Sequence, residues 1–164
     1  ITDNVGMNLI ASYNSGHPYT LSDGSMGQRD AGEGALLSDN DPRNRAPLEA
    51  LNSSTTPSFF NLDLSVEKTF AVPGVANVKV YATVTNLLNT QHIINVYNRT
   101  GDAYDDGFLN DPDLSSLIIE GRGPEYVEMY REINLANRNH WLNDHSFDLF
   151  GIPREFKTGI QVSF

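Results

Sequence analysis

Five aspartates within twelve residues, Asp102, Asp105, Asp106, Asp111 and Asp113, form the densest chemistry-bearing cluster in the chain. Hard cations such as calcium take several carboxylate and carbonyl oxygens, so this cluster is a candidate calcium site. Its spacing does not match the EF-hand loop, which needs glycine at position six and glutamate at position twelve. A solvated acidic loop is the simpler reading, and calcium is the alternative. His140 and His145 flank Trp141, but their five-residue separation misses the three or four of one helical face. No third ligand accompanies them, so zinc is not expected. The chain has no Gly-x-Ser-x-Gly, no phosphate-cradling glycine loop and no His-Glu-x-x-His. No carboxylate is paired with a histidine or an apolar run in the manner of a tuned acid or base. Neither an enzyme nor a bound cofactor is expected.

The elements that would position these residues follow from how charge and hydropathy are distributed. The 164 residues carry 11 basic against 21 acidic side chains, a formal net charge of −10, which excludes a basic nucleic-acid-binding face. There are no cysteines, so disulfides, thiolate zinc sites and cysteine nucleophiles are excluded. Residues 14–58 hold 6 acidic and 3 basic residues, and residues 89–154 hold 11 acidic and 5 basic, so nearly all the net charge sits in two long segments. What remains alternates with the period of half-buried strands. The alternation predicts strands over about 5–13, 59–70, 77–87 and 155–164. In the second, Phe60, Leu62, Leu64 and Val66 alternate with Asn61, Asp63, Ser65 and Glu67. Each strand is long enough to cross a bilayer when tilted, although no apolar run is long enough for a membrane-spanning helix.

The second and third strands are joined by a short Pro-Gly turn over about 71–76, whereas the other two connections run to roughly 45 and 65 residues. Short turns at one end and long loops at the other are the pattern of an outer-membrane β-barrel. Within the second loop, Gly123-Pro124-Glu125 reads as a helix start, and Tyr126, Met129, Tyr130 and Ile133 recur at helical spacing. One short amphipathic helix is therefore expected over about 125–136. Lys68 falls on the apolar face, close to the short turn, where a lysine can snorkel. Tyr13, Tyr19, Phe59 and Phe60 at one end, and Phe70 and Phe164 at the other, are candidates for two interfacial aromatic girdles.

Four segments in order resemble the end of a TonB-dependent outer-membrane receptor. Thr56-Pro57-Ser58-Phe59-Phe60-Asn61-Leu62-Asp63-Leu64-Ser65-Val66-Glu67-Lys68-Thr69-Phe70 is similar to a strand near the end of that barrel. Tyr81-Ala82-Thr83-Val84-Thr85-Asn86-Leu87-Leu88-Asn89 resembles the next strand with its Asn-Leu-(Leu/Phe)-Asn ending. Residues 95–108, from Asn95-Val96-Tyr97-Asn98-Arg99-Thr100-Gly101 to Asp106-Gly107-Phe108, resemble the following loop of Oar-like members, which carry a carboxypeptidase-regulatory-like N-terminal domain. Phe150-Gly151-Ile152-Pro153-Arg154 through Phe164 resembles the last strand, and the terminal Phe164 matches the C-terminal signal read by the outer-membrane assembly machinery.

The resemblance implies an all-β fold: the last four antiparallel strands of a transmembrane barrel in the bacterial outer membrane. Residues 14–58 and 89–154 would be extracellular loops, the second containing a short helix, and 71–76 a periplasmic turn. Ile1-Thr2-Asp3 shows neither an initiator Met nor a signal peptide, so these residues are expected to continue from a longer chain. The implied partners are the remaining barrel strands and plug, from the same or a separate chain, the TonB complex through an N-terminal part, the assembly machinery and the lipid bilayer. The implied function is energised uptake of a scarce nutrient captured by the extracellular loops. Tyr104, Phe108, Tyr126, Tyr130 and Trp141 are the candidate ligand contacts, because aromatic rings give large contact area at low entropy cost. A soluble β-rich module binding carbohydrate or protein is the competing reading.

Overall fold

Leu9, Leu64, Val84 and Phe156 form one row across four neighbouring strands. The structure, a computed structural model, describes residues 4–23, 46–145 and 147–164. Its strands are β1 (Val5–Asn14), β2 (Pro18–Tyr19), β3 (Ser22–Asp23), β4 (Ala46–Pro47), β5 (Ser54–Thr55), β6 (Phe59–Val72), β7 (Ala76–Thr85) and β8 (Glu155–Ser163). The four long strands make one antiparallel sheet in the order β1-β6-β7-β8. β2 pairs with β5, and β3 with β4, as separate two-stranded ribbons. The protein is mostly β, with this antiparallel sheet and a few short helices. Among the described residues β1 and β8 each pair on one side only, and no barrel closes.

Because side chains alternate across a strand, the register sorts them into two faces. One face carries Met7, Leu9, Val66, Leu64, Val80, Val84, Phe156 and Ile160. It is not covered: Leu9 is 54% exposed, Phe156 and Ile160 69% each. The opposite face is largely polar. There Ser65 and Thr83 share a hydrogen bond of 3.1 Å, and Lys79 meets Glu67 at 3.2 Å. Tyr81 lies opposite Gly159, where an added Cβ would stand 2.4 Å from its hydroxyl oxygen, so the ring covers the gap the glycine leaves. Lys68 is on the apolar face, with its ammonium 5.3 Å from the centre of the Phe70 ring.

The turn between β6 and β7 is built by local chemistry. The Val75 amide bonds the Val72 carbonyl at 3.0 Å, Pro73 presets one central residue, and Gly74 takes φ 76° at the next. β7 stops at Thr85 rather than near 87, because Asn86 turns to φ 53°. Asn86 is buried and fully engaged. Its amide donates to the Asp63 carboxylate at 2.8 Å, and its side-chain nitrogen donates to the carbonyls of Thr90 at 2.9 Å and Ile152 at 3.2 Å. The Asn-Leu-Leu-Asn segment is thus a strand terminator, with Asn89 also at positive φ.

The chain divides into two compact units, one of Ile1–Ser15, Ser58–His92 and Gly151–Phe164, the other of Gly16–Pro57 and Ile93–Phe150. The first contains the sheet. Among the described residues the second holds the two ribbons and the helical segments α1 (Pro112–Arg122), α2 (Glu125–Tyr130), a π-helical turn (Arg131–Ala136) and α3 (Asn139–His145). Helices α1 and α3 were not expected from the sequence, whereas the stretch expected over 125–136 is helical with those bounds. That stretch is α2 followed by the π turn, whose wider spacing shows in the Asn137 amide bonding the Glu132 carbonyl at 3.1 Å. α1 has complete end signals: the Asp111 carboxylate caps the Asp113 amide at 2.9 Å, Pro112 follows, and the Gly123 amide closes on the Ile119 carbonyl at 2.8 Å.

Candidate functional site

Among its described residues the second unit has two apolar clusters of its own. One packs Phe108, Tyr126 and Tyr130 against Leu109, Leu114, Ile118, Ile119 and Leu135. The other packs Val96, Tyr97, Ala103, Trp141 and Leu149 with Tyr19, Ile93 and Phe150. Four of the five aromatic candidates for ligand contact are therefore core: Phe108 is 1% exposed, Tyr130 2%, Tyr126 4% and Trp141 6%. A long segment of polar composition still needs an apolar interior to hold helices together, and the aromatics supply it. Only Tyr104 keeps its ring at the surface, 53% exposed and tilted against Phe150 at 5.2 Å. Tyr19 is likewise part of this unit's packing rather than of a girdle on the sheet. Its hydroxyl stands over Gly101, whose φ of 72° and lack of Cβ permit the approach.

The five clustered aspartates are not brought together as a ligand set. Asp102 accepts from the Tyr104 amide at 3.0 Å, and Asp105 from the Gly107 amide at 2.8 Å. Asp111 caps α1 and pairs with Arg99, while Asp113 sits exposed in the first turn of α1. Asp106 is buried. It accepts from the Phe108 amide at 3.0 Å and from the Tyr130 hydroxyl at 2.5 Å. Burial pushes the Asp106 carboxyl above the ordinary carboxylate range, against the pull of those two donors. Burial and the neighbouring Asp106 charge also raise the Tyr130 phenol. Aspartates two residues before the amides they accept form local turns, which explains why the cluster is dense in sequence but dispersed in space. Among the described residues no group of three or more His, Asp or Glu side chains could hold a metal ion.

Trp141 and His145 are stacked, with ring centres 3.9 Å apart and planes 9° from parallel, and the indole nitrogen donates to the Phe147 carbonyl at 2.9 Å. The histidine thus serves as a packing partner of the tryptophan. Arg138, just before α3, grips Asp148, just after it, with two bonds, Nε to Oδ1 at 2.6 Å and Nη2 to Oδ2 at 3.0 Å, while its guanidinium lies 5.1 Å from the Phe150 ring centre. Burial alone would raise the Asp148 carboxyl, but the Arg138 bonds and the Phe150 and Leu149 amides outweigh it and lower the value.

One cavity of about 410 Å³ lies within this unit, between the acidic loop and the π turn. Tyr104, Asp105, Leu109 and Asn110 line one side. Arg131, Glu132, Leu135 and Ala136, all from the π turn, line the other. The Asn110 amide donates to the free oxygen of Asp105, so the two polar groups on the loop side are held together. Sequence reasoning found Tyr104 and Asp105 but missed the π-turn residues, since a π turn has no spacing signature of its own. The volume lies in the range of small-molecule sites. Comparison of the chain with protein-family models, with curated proteins and with solved structures gives no match.

Proposed function

We propose that the chain is part of the wall and extracellular loops of a TonB-dependent transporter or receptor in the bacterial outer membrane, and that it has no catalytic role. The observation that supports this most is the uncovered apolar face of the β1-β6-β7-β8 sheet. A soluble protein rarely leaves a contiguous apolar face of this extent in water, whereas the lipid-facing side of a barrel strand must be apolar and its lumen side polar. In lipid an open strand edge is not tolerated, so β1 and β8 call for further strands beside them. In this reading they come from the rest of the barrel, which also encloses a plug and draws energy from the TonB complex. The Pro73-Gly74 turn is periplasmic, and residues 14–58 and 89–154 are extracellular. The part of the first loop over 24–45 lies outside the described residues.

The test is fractionation with surface proteolysis. The protein is expected to stay in the outer-membrane fraction after a urea wash and to need detergent for release. Proteinase K, which cuts without needing a basic residue, added to intact cells should cleave near Arg122 and leave the 71–76 turn intact. Cleavage at Pro73-Gly74 with protection near Arg122 would reverse the topology. Release into buffer without detergent would favour the soluble β-rich binding module instead. Deleting residues 99–148 and measuring growth on candidate nutrients tests uptake; unchanged growth on every nutrient would reduce the loops to a passive shield.

A further inference from the structure

We propose that Arg154 and Phe156, at the loop end of β8, dock the phosphate group of an anionic membrane lipid. The lysine and arginine side chains of the unit that contains the sheet divide by face. On the polar face Lys79 pairs with Glu67 at 3.2 Å, and Lys157 with Glu155 at 3.1 Å. On the apolar face Lys68 and Arg154 have no carboxylate partner among the described residues and rest on aromatic rings instead. The Arg154 guanidinium lies 5.4 Å from the centre of the Phe156 ring, and its backbone amide is held by the Asn89 side-chain oxygen at 3.3 Å. None of the positions on the apolar face of the four strands is Asp or Glu, so these strands supply no anion there. Beside hydrocarbon a cation without a counter-charge is costly, which is why such residues reach for the interface and for an anion. A guanidinium matches phosphate with two parallel hydrogen bonds. One exposed cation would hold a free phosphate only weakly. A lipid adds the burial of its chain along Phe156, Ile160 and Val162, the exposed stripe that runs on from the same ring.

This inference rests on the reading of that face as lipid-facing. The test is native mass spectrometry of the protein released from membranes in detergent and titrated with phosphatidylglycerol or with phosphatidylcholine. Phosphatidylglycerol is expected to be retained about tenfold more tightly, the gain of a charge-assisted hydrogen bond without a competing choline. Arg154→Gln should remove that preference and Arg154→Lys should keep part of it. Lys157→Gln, on the polar face, should change nothing. Inorganic phosphate added at the same concentration should not displace the lipid; displacement would make the site one for free anions and overturn the proposal. Equal retention of the two lipids, or a preference that survives Arg154→Gln, would overturn it and leave the membrane reading standing. A protein that leaves membranes without detergent and retains neither lipid would overturn both.

Discussion

Tyr130 donates its phenolic hydroxyl to Asp106 across 2.5 Å, joining α2 to the acidic loop 24 residues earlier. The pair is buried, and Tyr130 also stacks on Phe108 at 4.7 Å. A carboxyl placed there is stable because two donors reach it and because burial favours its protonated form.

Tyr130→Phe should therefore raise the Asp106 value further and destabilise the protein by about 1–3 kcal/mol, the cost of a buried acceptor losing its donor. The sign follows from linkage: with its folded value raised, Asp106 contributes stability that is fully present below the ordinary carboxylate range. That contribution is lost as pH rises through the elevated value. Carbon-13 NMR titration of the Asp106 carboxyl in wild type and variant checks both statements. An unchanged titration would mean the hydroxyl does not bond the acid.

Asp148 should behave in the opposite sense. Its folded value is lowered, so its contribution is present above the ordinary carboxylate range and disappears as pH falls through the depressed value. Asp148→Asn is expected to cost about 1 kcal/mol near neutrality and to flatten this acid-side dependence. Arg138→Lys should lose the two-bond geometry and the contact with Phe150 while keeping the charge. Denaturant titrations from neutral to acidic pH measure all three.

Asn86 combines a left-handed backbone with a buried, fully bonded side chain. Asn86→Ala should destabilise by about 1–3 kcal/mol, because the Thr90 and Ile152 carbonyls lose their donor. Asn86→Gly keeps the favourable backbone and isolates the side-chain share of the loss. Equal stability of all three proteins, read by thermal melts in detergent, would refute the terminator role.

The two faces of the sheet should differ sharply in a bilayer. Leu64→Arg or Val162→Arg, on the apolar face, should cost about 2–4 kcal/mol near the midplane, whereas Ser65→Arg or Gln161→Arg should cost far less. Refolding equilibria into lipid vesicles provide the measurement. Equal penalties on both faces would argue for a sheet that never meets lipid.

The long strands were legible in the sequence because the signal is local. Alternation at Phe60 through Glu67, a Pro73-Gly74 turn and the matching stripe at Phe156 to Phe164 each depend on neighbours one or two residues away, and the sheet follows those positions within two residues. Helix α1 was not read from the sequence: its end signals, Asp111-Pro112 and Gly123, are local, but Asp111 sits in the candidate metal cluster and Gly123 reads as the start of the next helix. Which aromatic side chains are core and which meet solvent was not legible. Tyr130 and Tyr104 are the same residue type in the same acidic segment, yet one is sealed against Phe108 and Asp106 and the other stands at a cavity mouth. Burial is a property of what folds back over a residue, and for Tyr130 that covering comes from positions more than twenty residues away. Tertiary structure alone decided it, because contacts at that separation leave no periodicity in the chain.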